Sequence, residues 1–534
     1  MADIVVYGGS FAAAAAASKA ADNAPNKSVV VIIPDPVTSS GSSFGSIGTI
    51  GGQNCFDIRN WTKNGITDNP IKGSFSWWYS TQKQFYNTDQ MAAQIKNDVT
   101  KYSNVTVYYG YDIQGVSTAN NPFRITQVSI RSINRNSSGV VVWGSSTKTI
   151  SGSVFIDASD DGRLARVSNF GGTVGRYDWP ANYLDSDERG TSGKARQQAA
   201  TLMFKVTGVE YGASGNMTWG TPYGVRYCAG GWNEYKTDPV IVNFNNTYGP
   251  QGYALKPMNA AQNGSGSDEW WINALLVFNV DGRAYNRDRG TTMFPSDMRS
   301  DYKTVDDAWV QARNFIKNNP AFMSALRHFP GFSNAQLVLD SSGNPEVGKV
   351  LYLRETIHLA KNSANRANGT ENSNYQLTTN ACNKAGSSPS TGQDSGNYSN
   401  RIGLNYYWSD INAYKFEDMK NASGQYIWGS DIGAKLRPDL GITSSTPTNP
   451  VYVPYQALLT GYVANLLVPG YAANISSFGW AESRVIPNLC VMGDAAGVVA
   501  ARAATLGKHP LNFTSNDMTA VQSTLRSYSV RLDK

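Results

Sequence analysis

Residues 3–13, Asp3-Ile4-Val5-Val6-Tyr7-Gly8-Gly9-Ser10-Phe11-Ala12-Ala13, followed by alanines to Ala17, decide how this chain is read. The apolar run reads as a buried strand, the two glycines as a tight turn, and the alanines as a helix. That is the setting in which a G-x-G-x-x-G/A fingerprint has physical meaning. Gly8 makes the turn with Gly9 beside it, and Ala13 lets the helix press on the strand. Ser10 stands where a second glycine would admit a pyrophosphate to the backbone. A small hydroxyl is expected to fit there and donate to a phosphate.

A second buried strand follows at Ser28 to Ile33, β-branched throughout, as in parallel sheets covered on both faces. It ends in Pro34-Asp35-Pro36, and Asp35 is placed to accept from the ribose hydroxyls of an adenosine half. A glycine-rich loop from Gly41 to Gly52 comes next and is expected to touch the cofactor through Gly51 and Gly52. The far end of the chain supplies a matching half. Leu489 to Met492 reads as a strand, Gly493 as a turn, and Ala495-Ala496-Gly497 as the opening of a helix. Asp494 would then lie at a helix amino end, suiting a ligand with sugar-like hydroxyls and an electron-rich ring.

A chain of 534 residues implies two or three domains, and 41% hydrophobic residues with 11% aromatics exclude global disorder. The net charge is modest, 46 − 40 = +6, and no Lys/Arg cluster supports nucleic-acid binding. No apolar stretch reads as a membrane span of about 18 residues. A first strand at Asp3 leaves no visible signal peptide. Low charge and repeated N-x-S/T triplets favour a secreted or periplasmic protein on composition. Of four cysteines, Cys228 and Cys382 are the better pair if a disulfide exists. Cys490 reads as a buried thiol and Cys55 as a neighbour of the cofactor. Three scattered histidines and no CxxC make a metal site unexpected.

Between the ends, a helix is expected over 85–100 and strands at Val105 to Tyr109, Ile113 to Val116, Ile125 to Ile133 and Val140 to Trp143. The run Ser153 to Ile156 returns to the cofactor sheet. Helix is predicted over 305–328 and a long loop over 361–400. The fold class is therefore α/β: a Rossmann-like dinucleotide domain with a three-stranded β-meander, built from both chain ends, plus an inserted α+β substrate domain. The boundaries are 1–175 and 441–534 for the first and 176–440 for the insert. The insert is dense in tryptophan, with Trp219, Trp232, Trp270, Trp271, Trp408 and Trp428. Most of these are expected in the core.

Five ordered segments resemble the FAD-dependent oxidoreductases with a glutathione-reductase-type FAD-binding fold. They are Asp3 to Ala17; Phe44 to Gly52; Val154 to Ala165, similar to I-D-A-T-G-D-G-D-L-A; Leu353-Arg354-Glu355-Thr356, similar to R-E-[ST]-R; and the run from Tyr452 through Asn465–Gly470 and Arg484–Pro487 to Ala504. Departures are Ser10 for glycine, Ser159-Asp160 for Thr-Gly, Ile357-His358 for a basic pair, and Asp494 for a frequent Gln. The resemblance implies FAD, with Gly8, Gly9, Ser10 and Ala13 at the pyrophosphate, Asp35 at the ribose, and Asp160 or Asp161 near the ADP half. Asp494 would bind the ribitol or flavin-phosphate side, and the amides of Ala495, Ala496 and Gly497 would face flavin N1 and O2.

For chemistry, a proton acceptor must lie by the substrate with a pKa near working pH. His358, after the Arg354-Glu355-Thr356 block, is the first candidate, with a hydrogen-bonded structural histidine as the alternative reading, and His328 is the second. Arg484 would anchor flavin O2 or an anionic substrate, with a structural ion pair as an equal reading. The reaction expected is oxidation of a small polar molecule, sugar-like or aromatic, with O2 or another acceptor taking the electrons. Rival readings are a flavin-bearing binding or structural protein without turnover, and an NAD(P)H-dependent flavin monooxygenase.

Overall fold

The computed structural model describes residues 2–35, 59–83, 85–359 and 375–534. The loop Gly41–Gly52, with Gly51 and Gly52, and Cys55 lie outside the described residues, as does most of the first part of the 361–400 loop.

The first strand, β1 (Ala2–Tyr7), runs into a helix, α1 (Phe11–Asn23), and on to β2 (Val29–Ile33). Two helices follow, α2 (Ser74–Gln82) and α3 (Thr88–Thr100), then β3 (Val105–Tyr109), β4 (Tyr111–Ala119), β5 (Arg124–Arg135) and β6 (Val141–Asp157). The parallel sheet has the order β3-β2-β1-β6, with the short strand Leu466–Leu467 on the far side of β6. A right-handed parallel layout of this kind gathers the carboxyl ends of its strands on one edge, where ligands bind.

The strand β6 has two lives. Its last residues join the parallel sheet, Val154 beside Ile4, while its earlier part pairs antiparallel with β5, which pairs with β4. The separate strands expected at 140–143 and 153–156 are therefore one element of 17 residues. Asn465 ties the junction: its amide donates to Ile125 O (2.8 Å) and Ser153 O (3.0 Å) and its Oδ1 accepts from Ile125 N.

The carboxy-terminal helix corrects the opening reading of 489–497. Ile486–Leu506 is one continuous helix of 21 residues, so Leu489–Met492 is not a strand and Gly493 not a turn. An apolar run with alanines gives no period by which to tell buried strand from buried helix. Gly493 and Gly497, four apart, share one face, and a Cβ on either would collide with the carbonyl oxygens of Ala12 and Ala16 in α1. The glycines exist for a close helix crossing. The helix is long and apolar enough to cross a bilayer, contrary to the length reading, yet 83% of that window is buried inside the protein.

The middle of the chain forms a six-stranded sheet of short antiparallel pairs, Met217–Gly220, Tyr227–Gly230, Met258–Gln262, Trp270–Ile272, Phe204–Thr207 and Gln336–Leu337 in spatial order. Helices Pro239–Tyr248, Val305–Asn318 and Pro320–Leu326 pack together beside it, with Phe322 against Phe204. One apolar cluster runs from Ile4 and α1 through these elements to Val521, so the middle shares its core with the sheet. Trp270 is in that core and Trp271 is buried, whereas Trp232 and Trp408 are exposed. Cys228, Cys382 and Cys490 are buried and none of them is in a disulfide, which corrects the Cys228–Cys382 pairing.

Candidate functional site

The cleft lies over the carboxyl ends of β1, β2 and β6. It is lined by Tyr7, Gly9, Ser10, Asp35, Asp160 and Asp161, and closed by Arg135, Tyr285, Trp309 and Leu353. Gly8 has φ +135, and a Cβ there would sit 2.5 Å from Ala158 O, so only glycine allows β1 and the end of β6 to approach here. Ser10 is the N-cap of α1. Its Oγ accepts from Ala13 N and donates to Ala158 O at 2.9 Å. The hydroxyl proton is thus spent inside the protein, and a donation from Ser10 to a phosphate, as expected above, is corrected. What α1 offers an anion is its amino-terminal amides and dipole.

Asp35 follows β2, and its Oδ2 is buried with no hydrogen-bond partner among the described residues. Burial raises this carboxyl to about 6, against the pull of Lys349 and Arg135. A buried acceptor without a donor is costly unless a ligand supplies one. Two ribose hydroxyls are such donors. Asp160 also faces the cleft, and burial, then Asp35 and Asp161, raise it to about 7. Asp161, by contrast, is engaged with Arg166 and with Arg163 N.

Asp157 is the staple of this loop, accepting from Ser159 N and Oγ with one oxygen and from Ala165 N with the other. Arg135, reaching from β5, donates to Lys349 O and Gly139 O and lies 3.9 Å over the Trp309 ring. No motif marked Arg135 or Trp309. They reach the cleft from distant segments, which spacing along a chain does not reveal.

Gly470 (φ +108) follows the Leu466–Leu467 strand and sits between Ala12 and Leu489. The strand and glycine expected at 465–470, rather than those at 489–493, therefore form the third arm of the sheet edge. The positive end of the long helix is at Ile486–Asn488, after an N-cap, Val485, that gives no side-chain bond. Ala495, Ala496 and Gly497 lie mid-helix, where their amides are bonded to carbonyls four residues back and cannot face a ring. Asp494 is fully buried and accepts from Ser74 N (2.9 Å) and Ser74 Oγ, at the start of α2. Its carboxylate caps a neighbouring helix. The flavin-facing placement of 493–497 is corrected on these grounds.

The histidines part company. His358 is buried in a short strand against Gly172–Val174, with Nε2 3.0 Å from Glu355 Oε1 and Nδ1 without a partner among the described residues. Glu355 also accepts from Ser477 Oγ and Gln198 Nε2. His328 is on the surface beside Asp238, the cap of another helix, and neither histidine is among the residues that line the cleft. Arg484 is buried, donating to Tyr352 Oη (2.8 Å) and Asp410 Oδ2 (2.6 Å). Leu353 lines the cleft, and Thr356 Oγ1 donates to Asp160 O at 2.6 Å, so the 351–356 segment is a cleft wall.

A glycine turn at Gly8, the amino end of α1 and a partnerless buried carboxylate oxygen on Asp35 meet at one sheet edge, the place where parallel α/β sheets bind ligands. The chain belongs to the FAD dependent oxidoreductase family, which it matches over residues 3–525. No curated protein sequence matches it. Among solved structures it is similar to the myxobacterial chondrochloren halogenase, a variant of FAD-dependent halogenases, at 12% identity, 65% of this chain, 63% of that one and a TM-score of 0.28. It is also similar to p-nitrophenol 4-monooxygenase from Pseudomonas putida, at 9% identity, 63% of this chain, 65% of that one and a TM-score of 0.25. A third is the FAD-complexed glycerol-3-phosphate dehydrogenase from Bacillus halodurans, at 8% identity, 51% of this chain, 47% of that one and a TM-score of 0.23. The chain spans less than two thirds of the length of each.

Proposed function

We propose that the protein is an oxidase or dehydrogenase that moves a hydride from a small polar organic substrate to FAD. The observation that carries this is the partnerless Asp35 Oδ2 at the end of β2, facing a cleft that begins at Gly8. Asp35 would hold the adenosine ribose, and Gly8, Gly9 and the amino end of α1 the pyrophosphate. The Ile486–Asn488 helix end would face the pyrimidine side of the ring, where a fixed dipole stabilises negative charge. Bound there, FAD supplies the two-electron acceptor.

The protein's own part is to orient the substrate and take its proton. His358 fits that task through Nδ1, with Glu355 holding the ring from the Nε2 side. The split at 175 and 440 into a cofactor part and a substrate part belongs to the same proposal.

The test is to load the protein with FAD and add sugars, amines, alcohols and hydroxy acids without oxygen. Bleaching of the flavin by one of them supports the reading. A protein that takes up no FAD refutes it, and a yellow protein that no substrate bleaches favours the flavin-bearing binding protein.

A further inference from the structure

A second buried carboxylate oxygen in the cleft stands without a donor. Asp306 lines the cleft together with Asp35 and is 1% exposed. Its Oδ1 accepts from Asn286 N at 3.2 Å, while its Oδ2 is buried with no hydrogen-bond partner among the described residues. Asp306 sits in the first turn of the helix Val305–Asn318, whose N-cap, Thr304, accepts from Asp307 N. A helix amino end favours negative charge, which accounts for a carboxylate here but not for its unbonded oxygen. A buried acceptor in that state is destabilising unless a ligand brings the donor.

The surroundings suit a flat ring. Val141, Val305 and Leu351 line the same cleft and are apolar. Trp309 stands three residues after Asp306 on the same helix, so the two share a face. The Arg135 guanidinium lies 3.9 Å over the Trp309 ring, and both line the cleft. Aromatic and guanidinium planes are the surfaces on which bases stack. Burial holds Arg135 below its usual range, and Asp306, Tyr285 and Asp35 oppose that in this order. Both carboxylates therefore act on one side chain, Asp306 more strongly than Asp35.

We propose that Asp306 reads the exocyclic amine of an adenine ring, so that this chain selects a 6-amino purine on its dinucleotide. The inference rests on the FAD reading and adds a specificity-determining residue to it. Asp35 would hold the ribose, and the base lies one glycosidic bond further on. At its 6-position adenine offers N–H donors, whereas a 6-oxo purine such as guanine offers a carbonyl acceptor. A carboxylate oxygen accepts from the first and repels the second. Asp306 comes from the middle of the chain and not from the parallel sheet, so the middle takes part in choosing the cofactor.

The experiment titrates the protein with FAD and with its hypoxanthine analogue, in which a carbonyl replaces the 6-amino group, following flavin fluorescence and calorimetric heat. FAD should bind at least about tenfold tighter, the scale of one hydrogen bond to a charged group. Asp306→Asn should narrow that ratio to about threefold or less, because an amide can donate to the carbonyl. Asp35→Asn acts on the ribose common to both, and should weaken both alike and leave the ratio unchanged. An unchanged ratio in a folded Asp306→Asn overturns the proposal. Equal binding of the two dinucleotides by the unaltered protein overturns it too, and that comparison needs no variant to fold. Equal binding refutes this inference alone, whereas a protein that binds neither dinucleotide refutes the cofactor reading on which it rests.

Discussion

At Asp35 one oxygen carries most of the case for a bound ribose. Without a ligand the folded carboxyl keeps its proton up to about pH 6, whereas an unfolded aspartate loses it near 3.8. Ionisation between those values therefore costs the ligand-free fold stability, and the cost is complete above pH 6. A ribose donating to Asp35 favours the ionised form. FAD affinity should then rise with pH by up to about tenfold per unit below pH 6, with one proton released. Asp35→Asn should weaken FAD by about ten- to a hundredfold at pH 7, the value of charged hydrogen bonds, and remove this part of the pH dependence. Calorimetry in two buffers of different ionisation enthalpy measures the proton; an Asp160→Asn control separates the group that titrates near 7. For His358, His358→Gln in FAD-loaded protein should cut kcat by about 10²- to 10⁴-fold with KM little changed. A loss of stability with kcat retained would leave His358 a support for Glu355 only. Gly8 and Ala13 were legible in the sequence because each does a local job at a fixed distance from a strand end. Arg135 and Trp309 were not, since only the folded chain brings them together.

At the scale of elements, α1 and the Ile486–Leu506 helix form the pivot of the fold. The misreading of 489–497 has a physical origin: Val491-Met492-Gly493-Asp494 fits a strand-and-turn template as well as it fits a helix built to lie tightly on another. Pro487 near the start of the apolar run was the available sign of a helix beginning there, since proline is favoured in the first turn. The crossing makes a prediction opposite in sign to helix propensity. Gly493→Ala would gain up to about 1 kcal/mol if the site were open helix surface. Because the new methyl meets the Ala12 carbonyl, the expected result is a net loss of about 1–3 kcal/mol. Thermal unfolding of the variant measures it; an unchanged or raised Tm would contradict the tight crossing.

At the scale of the whole molecule, the two chain ends meet in one sheet because β6 borders both β1 and the Leu466–Leu467 strand. That closure, and the α/β class, could be inferred from apolar runs ending in glycine at both ends of the chain. The interior could not: its strands are mostly of two to five residues, too short for a period to show, and they share a core with the cofactor sheet. Trp309 and Arg135 enter the cleft from that interior and from β5, so the cofactor site belongs to the assembled molecule.

The central claim is that FAD spans this sheet edge with Asp35 as ligand and Asp494 as a helix support. Titration of the ligand-free protein with FAD, beside Asp35→Asn and Asp494→Asn, tests it most directly. The account predicts about one FAD per chain, a dissociation constant raised at least about tenfold by Asp35→Asn, and little change in Asp494→Asn beyond a lower Tm. No FAD binding, or weakening by Asp494→Asn and not by Asp35→Asn, would contradict it.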